Sequence, residues 1–514
     1  MNQATSATGR HFDPLITYVS GGLTVGFVLI SVLFPEQMGA AINTAFSWTT
    51  TTLGWLYLLV VFGMTLTCLM FMIGPWGRHK LGAPNSTPEY SNITWFGMLF
   101  GSAIAAGIAF WGPAEPIYHY KTVPPFFTAE AETSRAAVAA MTQSFFHWGL
   151  SAWAIYVTLA IPMAHAAFTK GLPLRFSTAF YYLLGDRVKG TAGKVIDIFA
   201  VIATMGGLAT TTGLTALQVA AGLKYQFGLD LGPNAGYYII AVFTAIFAFA
   251  VYTGLQKGVK IMNHLNLILF VGVGLFLFLF GAKLYVLELG LEAGGEYLAS
   301  FVPLSLFTGP GEDKTWLGGW TIFYWAWWMS WAPFVSIFIA RVSKGRSVRS
   351  LVLACMLLPS LANFIWYAVV GGAGIHFNIG GIIEEHGVEA AIFGLIQHYP
   401  FPALMGVVVM ALVAMLFLTS ANSAAVSLAM FVSGQETPHR LLSGFWALAL
   451  GAVAMVLAGT GNLKAIQTAS ILAAVPMIAF LVMAQISTFK GLALEPRAET
   501  SNRNITNQTA TEVF

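Results

Sequence analysis

The sequence predicts an all-α polytopic membrane protein with twelve transmembrane helices. Of its 514 residues 57% are hydrophobic and only 9% charged, and the mean hydropathy is +0.74, which places the chain in the membrane class. Apolar stretches of about 20 residues, the length that crosses a bilayer as a helix, recur twelve times. Basic residues gather in alternate connecting segments, as cytoplasmic loops require.

In chain order the spans are expected at 14–34, 53–75, 95–114, 142–168, 194–223, 236–254, 261–286, 318–340, 350–373, 402–432, 441–459 and 466–488. With both termini inside, eighteen of the 24 Lys and Arg residues fall on the inner side and six on the outer. That asymmetry sets an inner-membrane protein with cytoplasmic ends. The domain map is a cytoplasmic tail at 1–13, a transmembrane domain at 14–490 and a cytoplasmic tail at 491–514. Between spans seven and eight, Leu287, Leu291, Leu298 and Phe301 alternate with Glu288, Glu292 and Glu296, predicting an interfacial helix over about 287–305.

Several function classes are excluded early. The net charge of +3 is spread over separate loops, which is no nucleic-acid footprint. Cys68 and Cys355 are far apart, and no phosphate loop or His-x-x-x-His pair occurs, so neither a cysteine-based metal site, ATP-driven transport nor a bound cofactor is expected.

The most informative run is Trp320 to Trp331, five tryptophans in twelve residues within span eight. At about 100° per residue, Tyr324, Trp327, Trp328 and Trp331 share one stripe. A fully methylated cation has no N–H to donate, so ring faces suit it, each contributing roughly 0.5–2 kcal/mol when water is excluded. No Asp or Glu lies between Trp320 and Ala340. Span three ends in a small-residue run and Pro113, and span eight reaches Pro333, so both are expected to be interrupted. Glu115 is expected at the outer boundary as a gate or helix cap, His147 as a locally hydrogen-bonded residue, and Asp197 in the first turn of span five, where the helix dipole explains it.

The run Gly319 to Trp331 closely resembles the signature of the betaine/carnitine/choline transporter family. The resemblance extends to Phe110-Trp111-Gly112-Pro113-Ala114-Glu115-Pro116, to His147-Trp148-Gly149-Leu150-Ser151-Ala152-Trp153-Ala154-Ile155-Tyr156 and to Thr419-Ser420-Ala421-Asn422-Ser423. It implies a secondary transporter for small onium solutes with a LeuT-like 5+5 inverted-repeat core, here about 95–286 and 318–488, assembled as a homotrimer in the lipid bilayer. The family's aromatic box carries over to Trp148, Trp153, Tyr156 and Trp328, with Trp327 and Trp331 along the adjoining path and Phe110 and Phe334 near the gates. A Na+ coupling site is implied between backbone carbonyls near Ala103 and Ile104 and the hydroxyls of Thr419 and Ser420; ordinary interhelical hydrogen bonding by those hydroxyls is the alternative. The family's Gly-Met-Gly-Ile-Gly stands here as Ala103-Ile104-Ala105-Ala106-Gly107, which crowds the pocket floor and hints at a different anionic end on the substrate. Betaines, dimethylsulfoniopropionate, carnitine and trimethylamine N-oxide are the candidate substrates. A sodium-independent substrate:product antiporter and a proton-coupled choline-type symporter are the rivals, and the short tails speak against osmotic regulation.

Overall fold

A computed structural model describes residues 12–103, 106–253, 256–311, 313–458 and 463–494. Fifteen principal helices are named here: α1 (Pro14–Leu33), α2 (Pro35–Ile73), α3 (Asn92–Ala103), α4 (Gly107–Lys121), α5 (Ser134–Trp148), α6 (Leu150–Lys170), α7 (Thr191–Phe227), α8 (Ala235–Thr253), α9 (Gln256–Phe280), α10 (Lys283–Ser305), α11 (Phe323–Val342), α12 (Val348–Trp366), α13 (Pro402–Ser433), α14 (Arg440–Ala458) and α15 (Leu463–Leu494). Among the described residues ten helices are long and apolar enough to cross a membrane, or eleven if the bent pair His264–Phe280 and Lys283–Ser305 counts as one. Span three of the expected twelve is described in two stretches, α3 and α4, on either side of residues 104–105, and neither stretch is long enough to cross alone. Span seven passes only together with α10, which turns away from it by 112°. Helix α10 covers the residues expected to lie at the interface, with Leu287, Leu291 and Leu298 exposed and Val286, Leu289 and Tyr297 buried.

Helix starts and stops follow capping chemistry. Asp13 opens α1 by accepting from the N–H groups of Leu15 and Ile16 at 3.0 and 3.4 Å, ahead of a proline that needs no partner. Helix α7 closes on Gly228 at φ +68, whose N–H returns to the Lys224 carbonyl. Helix α2 begins at Pro35, not at residue 53, because hydropathy marks the apolar stretch while helical hydrogen bonds run on through polar residues.

Three further expectations are corrected by backbone accounting. Span three does not stop at Pro113: α4 runs through Pro113 and Pro116 to Lys121. Proline frees the carbonyl four residues earlier, and the Ala109 oxygen released by Pro113 accepts from Gln218 Nε2 at 3.0 Å. Span eight likewise continues through Pro333, its irregular segment being a π turn at Gly318–Ile322 where the aromatic run begins. Span four is the one broken unexpectedly. At Gly149 the backbone leaves helical values (φ −94, ψ −144) and the chain restarts as α6; a Cβ there would lie 2.5 Å from the Phe145 carbonyl oxygen and 2.9 Å from the Phe364 ring, so the turn has room only for glycine. Side chains take up the exposed backbone: Asn363 Nδ2 donates to the Trp148 carbonyl at 2.8 Å, Trp328 Nε1 to the His147 carbonyl at 3.0 Å, and the Leu150 N–H to the Tyr297 hydroxyl at 3.3 Å.

Helix α11 lies at the centre, packed on α6, α7 and α15, while α4 packs on α5 and α14 on α8. Loops expected on one side do share one end of the bundle. Lys194 pairs with Asp13, whose N–H reaches the Val432 carbonyl, and Lys80 bridges Ser347. At the other end Lys121 pairs with Glu384, and Arg135 with Glu296 at 3.1 Å. Asp197 is not in a first turn. It is buried and accepts from the N–H and hydroxyl of Ser177 at 2.8 and 3.0 Å, pinning the turn that precedes α7.

Contact between α7 and α11 depends on Gly207, where a Cβ would meet Ser330 Oγ at 2.4 Å and Trp331 Cδ1 at 2.7 Å. Gly207→Leu is expected to cost about 1–3 kcal/mol through overpacking, seen as a lowered thermal midpoint of the detergent-solubilised protein. Gly272→Ala, whose added methyl meets nothing within 4 Å, is expected to leave the midpoint in place.

Candidate functional site

The break at Gly149 and the aromatic run of α11 meet in the middle of the bundle. A cavity of about 20 Å³ there is lined by Ile108, Trp148, Ala152, Trp153, Tyr156, Trp328 and Asn363. Trp148 and Trp328 stand edge to face at 4.8 Å and 75°, and Trp153 and Tyr156 at 5.8 Å and 81°. Two of the indole N–H groups are committed to protein acceptors, Trp328 to the His147 carbonyl and Trp148 to Glu115. Asn363, which sequence reasoning missed, adds an Oδ1 with no partner. An amide in the apolar run of span nine was the available signal. The space admits about one water and is smaller than a methylated ammonium head, so the rings must separate to receive one.

Four of the six expected binding residues, Trp148, Trp153, Tyr156 and Trp328, therefore come together. Trp327 stands behind the cavity, stacked on Trp328 at 5.0 Å and 12° and donating to the Gly207 carbonyl at 3.3 Å. Trp331 is buried against Phe334 at 5.6 Å, and Phe110 against Trp111 at 5.0 Å; none of these three lines the cavity. A larger, apolar cavity of about 510 Å³ lies between α1, α2, α7, α14 and α15, lined among others by Phe27, Met38 and Leu457. It holds no comparable ring cluster.

Of the expected cation ligands, Ile104 lies outside the described residues, and Ala103 ends α3. Thr419 donates to the carbonyls of Met415 and Leu416 at 2.9 and 3.1 Å and accepts from Asn266 Nδ2 at 2.8 Å, and Ser420 donates to the Leu416 carbonyl at 3.0 Å. Their protons thus point into α13. In span five, Thr210 joins α7 to α15 by donating to the Ile466 carbonyl at 2.7 Å and accepting from Ser470 at 2.8 Å.

The main correction concerns Glu115. Because α4 continues past Pro116, this carboxylate is not at a helix end but 0% exposed, at the hub of a polar cluster. Oε2 accepts from Tyr324 at 2.6 Å, from Trp148 Nε1 at 2.9 Å and, at 3.4 Å, from Tyr367. Oε1 lies 2.6 Å from His147 Nδ1 and 3.5 Å from His119 Nε2. His147 is correspondingly more than a locally bonded residue, since its Nε2 also reaches Thr321 Oγ1 and Gln143 Nε2, both at 3.0 Å.

With the geometry in place, comparison with known proteins identifies the class. Residues 15–497 match the family model described as BCCT, betaine/carnitine/choline family transporter. The chain belongs to the betaine/carnitine/choline transporter family. It is 41% identical over 486 residues to a probable glycine betaine transporter of Desulfitobacterium hafniense, covering 93% of this chain and 97% of the relative. It is 36% identical to the glycine betaine transporter OpuD of Bacillus subtilis (92% and 93% covered) and 35% identical to an ectoine/hydroxyectoine transporter of Virgibacillus pantothenticus (94% and 97%). A solved substrate-bound, outward-open Na+-coupled sialic acid symporter matches with a TM-score of 0.51 over 84% of this chain and 86% of that one, at 13% identity, which shows the LeuT-like fold. This family member is accordingly a multi-span membrane transporter and not an enzyme.

Removing the hub should be costly, because four donors would lose their acceptor in a buried site. Glu115→Ala is expected to lower stability by about 3–5 kcal/mol, and Glu115→Gln by less, because an amide oxygen still accepts from Tyr324 or Trp148. Thermal unfolding of both variants beside the parent checks the order.

Proposed function

We propose that this transporter imports a small methylated onium solute, driven by Na+, by alternating access around the ring cavity. The observation that carries the reading is the convergence of Trp148, Trp153, Tyr156 and Trp328 from three helices on one cavity. Ring faces bind a permanently methylated head without needing a donor from it. The relatives named as glycine betaine transporters agree with such a solute. Betaines, dimethylsulfoniopropionate, carnitine and trimethylamine N-oxide share that head.

The same reading assigns Trp327 and Trp331 to the walls of the path and Phe110 and Phe334 to its gates. The stacking of Trp327 on the cavity's Trp328 supports this for the wall, since a ring backing a small space must slide to open it. The Na+ would sit between carbonyls near Ala103 and Ile104 and the hydroxyls of Thr419 and Ser420. Both hydroxyls spend their protons on α13 carbonyls, which leaves oxygen lone pairs for a hard cation. Here the cation is cargo that travels with the substrate. Placement in a bacterial inner membrane with both termini cytoplasmic, and assembly as a homotrimer, belong to the same proposal and rest on the basic-residue asymmetry and the family resemblance.

The test is uptake of radiolabelled onium solutes by proteoliposomes, with and without an inward Na+ gradient. Trp328→Ala is expected to cut uptake at least tenfold while Trp328→Phe, which keeps a ring face, retains most of it; Thr419→Val with Ser420→Ala is expected to raise the Na+ concentration needed for half-maximal rate. Uptake that ignores the gradient and requires internal substrate would instead establish an exchanger, and no uptake of any onium would end the cage reading.

A further inference from the structure

The Glu115 cluster has more ligand atoms than the ring cavity uses. Glu115 and His119 stand one turn apart on one face of α4, and His147 ends α5. Glu115 Oε1, His119 Nε2 and His147 Nδ1 all lie within 4.8 Å of one another, and all three side chains are buried. His119 is 0% exposed with neither ring nitrogen hydrogen-bonded. An unpaired buried polar group of this kind costs about 1–3 kcal/mol, so a bare imidazole aimed at a carboxylate oxygen needs an explanation.

The surroundings of His147 supply one. On its Nε2 side lie Thr321 Oγ1 and Gln143, whose Oε1 has no partner as placed. Exchanging the two ends of that amide, which look alike to most methods, gives Nε2–H two oxygens to donate to. His147 Nδ1, which donates to Oε1 at 2.6 Å as the site stands, offers a lone pair in its place once the proton sits on Nε2, and the bare Nε2 of His119 offers another. These two nitrogens and Oε1 lie within 4.8 Å of one another. The second oxygen of Glu115 is already held by Tyr324 and Trp148, which orients the carboxylate as outer-shell partners orient a metal ligand.

We infer that Glu115, His119 and His147 form a binding site for a divalent transition cation of the Zn2+ type. Two imidazoles and one carboxylate are a known ligand set for such ions, with a fourth position open. Metal–ligand bonds of about 2.0–2.1 Å separate tetrahedral ligands by roughly 3.3 Å. The 3.5 Å pair of Glu115 with His119 already has that spacing, and the 2.6 Å pair with His147 opens by about 0.7 Å to reach it. His119 lies against the half-buried rings of Trp320 and Trp316, at 4.5 and 5.6 Å. A bound ion ties α4 to α5 and, through the other carboxylate oxygen, to α11. These helices carry the cavity walls, so the ion holds them together and stops the exchange of access.

Zinc titration of the purified, chelator-stripped full chain, read by calorimetry and by metal content, tests the site. Parallel uptake assays carry free Zn2+ and then EDTA. One Zn2+ per chain is expected, with at least tenfold weaker binding in His119→Gln and in His119→Phe, the second of which keeps an aromatic ring under Trp320. Uptake by the parent should fall at least tenfold with Zn2+ and return with EDTA, while the His119 variants take up solute and ignore the metal. The effect on uptake rests on the onium reading above, whereas zinc binding is measured without it, so the two fail separately. Absence of zinc binding, equal binding by parent and both variants, or bound zinc that leaves uptake unchanged would overturn the inference.

Discussion

Burial of the Glu115 carboxylate is the constraint on which the rest of the centre depends. A carboxylate taken out of water is tolerated only where donors surround it, and here the donors come from separate pieces of chain. Trp148 and His147 end α5, Tyr324 belongs to α11 and Tyr367 follows α12, while His119 stands beside the carboxylate one turn further along α4. Satisfying one oxygen pair therefore brings four segments to one point. The acid does not line the ring cavity. It grips Trp148 by the indole N–H, which fixes the ring's plane, and a negative partner on that N–H pushes electron density toward the face that a cation would meet.

The second constraint is the accounting of backbone polar groups. Irregular backbone inside a membrane persists only where something satisfies it, and at Pro113 and at Gly149 a long polar side chain does so. Gln218 serves the carbonyl freed by Pro113, Asn363 and Trp328 serve those beside Gly149, and Tyr297 serves the Leu150 N–H. Trp328 and Asn363 belong to two groups at once, since they line the cavity and also hold the broken helix that presents Trp148. Chemistry and architecture share the same atoms there.

Close stacking extends the order outward. Trp327 lies flat between Phe323 and Trp328, and a methyl on Gly107 would come within 2.6 Å of its ring. The glycine of α4 and the ring of α11 thus set how near α4 approaches the aromatic helix. A cavity of about 20 Å³ follows from that approach. Any motion that enlarges it must slide rings over one another, and not merely swing one side chain aside.

Much of the architecture was legible from local chemistry. Long apolar runs determined an all-α membrane protein, basic-residue bias sorted its loops into two sets that the bundle does gather at opposite ends, and ring periodicity picked out α11 and the residues that meet α5 and α6. Those features are one-dimensional: hydropathy, charge and a 3.6-residue repeat act within a single helix. What the tertiary structure alone decided was where irregularity falls and what compensates it. Pro113, Pro116 and Pro333 read as stops, yet the helices continue through them, with Gln218 taking up the carbonyl that Pro113 frees, while Gly149 reads as harmless and interrupts span four at a point where only a glycine fits against Phe364. Glu115 passed for a boundary residue for the same reason. Its burial depends on Tyr324, Tyr367 and two histidines arriving from elsewhere, and a pattern confined to neighbours in sequence carries no record of that.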